Sequence, residues 1–275
     1  MTEFITALWT NPILLLALVA GLAASVVSGI IGSYVVVKRI VFISGSLSHA
    51  ILGGIGLALW LERSQGIAWI SPLYGALGAG ILSALLIGWI HLNYRQREDS
   101  VISALWSLGM AVGVLFISQT PGYNVELANF LIGNILWVSP DDLMLLFGLD
   151  VVILATVLCL HKRFLVICFD EDQAYLQGVP VHQLYLLLLV LIAVTIVLLF
   201  QVVGIILVMT MLTIPPAIAN LFTTSLSRLM IFAVLLNALF CFIGMAAAFH
   251  FDWPGGASIA LIAGVTYVIT TILKR

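Results

Sequence analysis

The stretch LYLLLLVLIAVTIVLLFQVVGIILVMTMLTIPPAIANLF, residues 184–222, contains no charged side chain. A helix needs about 20 apolar residues to cross the roughly 30 Å hydrocarbon layer of a bilayer. The stretch is too long for one crossing, and Gln201 and Gly204 divide it near its middle into two. Working outward from this block, further apolar runs fill residues 12–37, 45–61, 69–91, 101–119, 141–160, 229–249 and 257–273. The piece 126–138 is apolar but too short to cross, which predicts a re-entrant or interfacial segment. The runs are continuous and rich in Leu, Ile, Val, Ala and Gly, without the short alternating segments of a membrane β-barrel. In lipid a helix satisfies its own backbone hydrogen bonds. The expected fold is therefore an all-α integral membrane protein, a polytopic helical bundle of about nine (eight to ten) transmembrane helices, with residues 1–275 forming a single membrane domain.

Composition supports that reading. Of 275 residues, 63% are hydrophobic and 8% charged, whereas soluble domains carry about 25% charged residues. The net charge of -2 says little, and no basic patch in the sequence suggests nucleic acid. Cys159, Cys168 and Cys241 are scattered and form no metal or redox motif, so they read as small apolar fillers. The first apolar run is too long for a signal peptide and lacks a basic start. Positive residues cluster at 38–39, 95–97, 162–163, 228 and 274–275. Placing these clusters in the cytoplasm leaves only Arg63 outside, the distribution that the positive-inside bias favours. Nine spans then put the N-terminus outside and the C-terminus in the cytoplasm.

On this topology DEDQAYLQGVPVHQ, residues 170–183, is the largest polar excursion on the cytoplasmic side. It reads either as an ordinary connection or as a short helical segment that docks a soluble partner. Glycines and serines at helix-neighbour spacing (Gly21, Ser25, Gly29 and Gly32; Gly53, Gly54 and Gly56) predict close helix packing. Pro215 and Pro216 predict a break or kink.

Polar groups inside spans are costly and are functional candidates by default. His49 lies in the second run among Ser44, Ser46 and Ser48, and His250 and Asp252 flank the outer end of the penultimate run. Asp150, Asn220 and Asn237 also fall within runs, while His91, His161 and His182 fall near cytoplasmic ends. Met209 and Met211 read as packing residues ahead of soft metal ligands. For Asp252, before Pro254 and Gly255, a turn role competes with a ligand role.

Four blocks resemble the permease subunits of ATP-binding-cassette importers for zinc, manganese and iron. Residues 35–59, VVVKRIVFISGSLSHAILGGIGLAL, are similar to that family's "GDALSHA" region. Residues 129–143, NFLIGNILWVSPDDL, are similar to its "LFGxxLxVxxxDL" block. Residues 172–220 carry its "A…GxP" loop and "VG…LxIPxAxA" pattern through Ala174, Gly178, Pro180, Gly204, Pro215 and Ala219, and residues 251–261, FDWPGGASIAL, its "D-x-P-x-G". The blocks lie in the family's order and cover nearly the whole chain.

The resemblance implies an ABC-importer permease fold in the cytoplasmic (inner) membrane, surrounded by lipid. It implies a dimer with a second or related permease copy, two copies of a cytoplasmic ATPase and an extracytoplasmic metal-binding protein. The cargo would be a divalent transition metal ion. ATP would be used by the partner, and this chain has no GxxxxGK[ST] phosphate loop and no permanently bound cofactor. Asp172, Ala174, Gly178 and Pro180 would couple to the ATPase. His49 matches the motif histidine and becomes the first candidate on the metal path, with His250 and Asp252 as a separate station. The family's Asp four residues earlier is replaced by Gly45, so the carboxylate–imidazole pair on one helix face is missing. Ser46 is a weak candidate in its stead. A permease for a metal chelate or vitamin is the alternative. A secondary transporter fits less well, because Asp150 is the lone carboxylate deep in a span. An intramembrane enzyme would need a nucleophile–base pair or HExxH, and neither is present.

Overall fold

The computed structural model describes residues 2–67, 69–94, 98–120, 135 and 138–274. Among them lie eleven helices and no strand: α1 (Thr2–Thr10), α2 (Pro12–Val37), α3 (Val41–Ser64), α4 (Pro72–Asn93), α5 (Glu98–Ser118), α6 (Pro140–Phe169), α7 (Glu171–Leu176), α8 (Val181–Val203), α9 (Ile205–Phe222), α10 (Leu226–Phe251) and α11 (Gly255–Leu273). All but α1 and α7 are long and apolar enough to cross a bilayer, which gives the nine expected spans. The expected re-entrant piece, 126–138, lies outside the described residues apart from Ile135 and Val138.

Local chemistry sets the helix ends. The Asn11 side chain accepts a hydrogen bond from the Ile13 amide at 3.0 Å, and Pro12 opens α2 where its missing N–H costs nothing. Gly204, at φ 80°, is the break between α8 and α9. That left-handed conformation is open to glycine at little cost, so the division of the 184–222 block falls three residues beyond Gln201. Gln201 itself donates to Asp142 at 2.8 Å.

Three details depart from the sequence reading. A short helix, α1, precedes the first span. The run expected to end at residue 160 continues to Phe169, because His161, Lys162 and Arg163 prolong the helix instead of stopping it. At 30 residues α6 is about 45 Å long, more than the hydrocarbon thickness, so its charged end extends beyond the apolar layer. The third correction concerns Pro215 and Pro216, through which α9 runs without interruption.

The chain forms two compact units. The first comprises Met1–Arg39, Asn129–Cys159 and Leu198–Arg275. In it α2 packs on α9 and α10, and α11 closes against both. The prolines are accommodated here. A proline lacks the N–H that would bond the carbonyl four residues earlier, so Pro215 and Pro216 free the carbonyls of Met211 and Leu212. The buried Asn237 amide on α10 donates to the Met211 carbonyl at 3.1 Å and to the Ser28 hydroxyl at 3.2 Å. Gly32 of α2 packs directly on the Leu212 carbonyl, leaving no room for a Cβ. The Met211 carbonyl is thus served by a donor from a neighbouring helix, as low-dielectric surroundings favour, and the Leu212 carbonyl packs against Gly32.

The second unit comprises Ile40–Ala128 and Leu160–Val197. Here α3 lies between α4 and α5. Gly53 and Gly56 of α3 face Gly109 and Gly113 of α5, backbone against backbone, and Gly54 meets Gly75 of α4 in the same way. The Leu186 and Leu189 side chains of α8 fill the space beside Gly88 of α4.

Candidate functional site

His49 lies on α3 one turn before the glycines that bring α3 against α5. It is half-buried on α3 while Ser44, Gly45, Ser46, Leu47 and Ser48 before it are buried. Its ring stacks on Trp106 of α5, with centroids 4.5 Å apart and planes 20° from parallel. Its Nδ1 is buried and has no hydrogen-bond partner among the described residues. The neighbouring serines are committed elsewhere. Ser46 donates to the Ile102 carbonyl of α5 at 2.9 Å, Ser48 to the Ser44 carbonyl at 3.0 Å, and Ser44 to the Val41 carbonyl at 2.7 Å. Ser46 is thus a tie between helices. The imidazole at 49 is the strongest potential ligand on this stretch, because a neutral ring nitrogen carries a lone pair that backbone and hydroxyl groups do not match for transition ions.

His250 and Asp252 sit at the end of α10, in the first unit. His250 is exposed and its ring meets the edge of Phe251 at 5.0 Å. Asp252 is exposed, and its backbone caps α10 in the left-handed region, at φ 56° and ψ 41°. Aspartate is among the few residues that adopt this conformation readily, so the turn role accounts for its place. Among the described residues no three His, Cys, Asp or Glu side chains gather around a common point.

The candidate coupling segment 170–183 forms a tight corner. Asp170 caps α7, its carboxylate accepting from the Gln173 amide at 2.8 Å. Asp172 is exposed on the first turn, and Ala174 is fully buried beneath the helix. The Val179 amide returns to the Ala174 carbonyl at 3.1 Å, and Gly178, at φ 75°, makes that reversal. Pro180 is exposed and leads into α8, where the Leu184 amide bonds its carbonyl at 3.1 Å. On the other face Tyr175 and Leu176 are 68% and 84% exposed, as is Phe169 at 65%. His91 of α4 stacks on Tyr185 at 4.5 Å and lies 3.9 Å from the Glu171 carboxylate. A cavity of about 650 Å³ opens beside α7, lined by His91, Asp170, Glu171, Asp172, Tyr175 and His182.

The remaining candidates separate by environment. Met211 is buried as packing and Asn220 is exposed. Asn237 serves the Pro215 gap. Asp150 is 7% exposed on α6, and its Oδ1 has no partner among the described residues. Trp106, Gly109 and Gly113 were not singled out by the sequence reading. The GMAVG spacing of Gly109 and Gly113 carries the close-packing signal, one turn beyond the tryptophan.

Known proteins place this architecture. A family model described as the ABC 3 transport family matches residues 10–274. A Chlamydia trachomatis protein named "Probable metal transport system membrane protein" is 48% identical over 96% of this chain and 90% of its own length. The "Manganese transport system membrane protein MntC" of Halalkalibacterium halodurans is 30% identical over 98% of this chain and 90% of its own. Among solved structures, PsaBC from Streptococcus pneumoniae in complex with Fab matches with a TM-score of 0.86 and 29% identity, covering 98% of this chain and 94% of that one. With the match running almost from end to end, and with the nine-span helical fold in agreement, the chain belongs to the ABC 3 transport family of multi-pass membrane proteins.

Proposed function

We propose that this chain is the membrane-spanning permease subunit of an ATP-driven importer that moves a divalent transition metal ion into the cell, the whole chain acting as one permease domain. The observation that carries the proposal is His49, a half-buried imidazole in an apolar span, with a buried nitrogen left without a hydrogen-bond partner. The relative named for manganese supports manganese as the first ion to test.

A transport site must strip part of the ion's water yet release it again. One imidazole suits that compromise. With Gly45 in place of a carboxylate and Ser46 engaged with Ile102, the ion keeps most of its water at His49 and passes on. His250 and Asp252 act as a separate, wetter station near the outer surface, where an extracytoplasmic metal-binding protein delivers the ion. The N-terminus lies outside and the C-terminus in the cytoplasm.

The energy comes from ATP hydrolysed in a separate subunit, two copies of which serve a pair of permease chains. The corner 170–183 receives their motion. Asp172, Tyr175 and Leu176 offer an exposed contact face, while Ala174, Gly178 and Pro180 make the corner compact enough to pass a push to α8. The test is uptake in proteoliposomes holding the chain, its ATPase and its metal-binding protein, supplied with Mn, Zn or Fe ions. ATP-dependent accumulation of one ion is expected. Accumulation of a metal chelate or vitamin but of no free ion would overturn the reading.

A further inference from the structure

We propose that Trp106 is the positioning residue of the His49 station, fixing the imidazole by ring stacking where a hydrogen-bonded carboxylate would otherwise hold it. The inference rests on the reading of His49 as part of the metal path.

A histidine that ligates a metal through one nitrogen ordinarily donates from the other to a carboxylate or carbonyl, which fixes the ring's rotamer. Here that device is missing. Nδ1 of His49 has no hydrogen-bond partner among the described residues, and position 45, one turn earlier on the same helix face, is glycine. An unanchored imidazole on a half-buried helix face would sample several rotamers, and each binding event would then carry the entropic cost of ordering it.

Helix α5 supplies the anchor through three contacts, one turn apart. At the first, Ile102 receives the Ser46 hydroxyl at 2.9 Å. At the second, the Trp106 indole lies flat against the His49 ring at 4.5 Å. At the third, Gly109 sits so close that a Cβ there would come within 2.9 Å of the His49 carbonyl oxygen. The register of α5 on α3 is therefore set immediately above and below the stack. The indole cannot slide off the imidazole unless the helices separate.

Stacking on an indole does two things that a methyl-lined wall would not. It confines the imidazole to one plane by contact with the ring face, which leaves metal bonding to the in-plane nitrogen lone pairs. Its negative π face also complements the positive charge that the imidazole acquires when a divalent cation binds it. The π face thereby takes over part of the role of the absent carboxylate without adding a fixed charge that would hold the ion too tightly for release.

The test uses the complete transporter, with its ATPase, in nanodiscs with ¹³C-labelled histidine. The His49 ring signals are assigned by their loss in His49→Ala, and Zn²⁺ is the diamagnetic probe. In the native chain the His49 ring protons are expected upfield of those of the other histidines, displaced by the indole ring current, and to move on Zn²⁺ addition. Trp106→Leu keeps apolar bulk but removes the π face. It should abolish the upfield displacement and raise the half-saturating Zn²⁺ concentration about fivefold or more, the size expected for one aromatic contact. Trp106→Phe keeps a stacked ring and should stay within about twofold of the native value. Zn²⁺ half-saturation unchanged in Trp106→Leu, or raised equally in Trp106→Phe, would overturn the positioning role while leaving His49 on the path. A native His49 that ignores Zn²⁺ would overturn both statements. If the leucine variant does not fold, the native ring-current displacement and the phenylalanine variant still decide: no displacement in the native chain, or a phenylalanine variant weakened about fivefold, overturns the role.

Discussion

The α3–α5 pair and the α2–α9–α10 cluster both bring membrane helices into close contact, and they do so by different means. Between α3 and α5 the contact is made by what is absent: glycines at 53, 56, 109 and 113 remove side chains, so the backbones meet. Around α9 the contact is made by what is added. Asn237 reaches into the helix to serve a carbonyl freed by Pro215, and the Leu212 carbonyl rests on Gly32. The glycine contact leaves adjacent space for large rings, and His49 and Trp106 stack there. The hydrogen-bonded contact instead joins three helices through one side chain, Asn237, which reaches both Ser28 and the Met211 carbonyl. Close packing by omission makes room for a ring stack, and close packing by a polar side chain builds a lock.

Substitutions can break this contrast at either end. The largest effect is expected from Gly109→Leu. A Cβ alone would stand 2.5 Å from the Ala50 Cα, so the helices must part. Overpacking of this kind costs about 1–3 kcal/mol or more, and thermal unfolding in detergent should show loss of the folded chain, with transport lost alongside. Next comes Asn237→Leu, which strips the Met211 carbonyl of its donor. An unserved buried carbonyl costs about 1–3 kcal/mol, read as a lower unfolding midpoint with metal recognition retained.

The lock can also be rebuilt. Pro215→Ala restores an N–H four residues beyond Met211, so the penalty of Asn237→Leu should shrink by about 0.5–1.5 kcal/mol in that background, measured as a double-mutant cycle. Additive effects would show that Asn237 does not act through the freed carbonyl. A stability change of about 1–2 kcal/mol is expected from Gly178→Ala, because a left-handed φ of 75° is strained for alanine. Its signature is a fall in ATP-dependent uptake larger than any fall in folded protein. Ser46→Ala should be the mildest, costing about 1 kcal/mol or less through loss of the hydroxyl to Ile102.

Much of this was legible in the chain before any coordinates. The nine spans follow from hydropathy, because a lipid-facing helix has few ways to hide polar groups. The split of the 184–222 block was visible in Gln201 and Gly204, although only backbone geometry identifies Gly204 as the hinge of the two helices. The end of α6 was misplaced because basic residues mark where lipid stops, which is not where a helix stops. The break expected at Pro215 and Pro216 is absent for a related reason. Proline reports a missing donor, and whether the helix survives depends on a partner, Asn237, far away in sequence. His49 was found through its motif, but Trp106 was not. A tryptophan in an apolar span carries no mark of the ring it faces, and only the register of Gly109 and Gly113 against α3 reveals it.

The account turns on His49 lying where the ion passes. The most direct measurement is the initial rate of ATP-dependent ⁵⁴Mn²⁺ uptake by the reconstituted complex carrying His49→Ala, beside the native chain and His250→Ala. The account predicts that His49→Ala loses at least about nine-tenths of the rate, the scale of one lost ligand interaction, with assembly and ATPase binding intact, and that His250→Ala loses less. A His49→Ala complex that carries the ion at the native rate would contradict it.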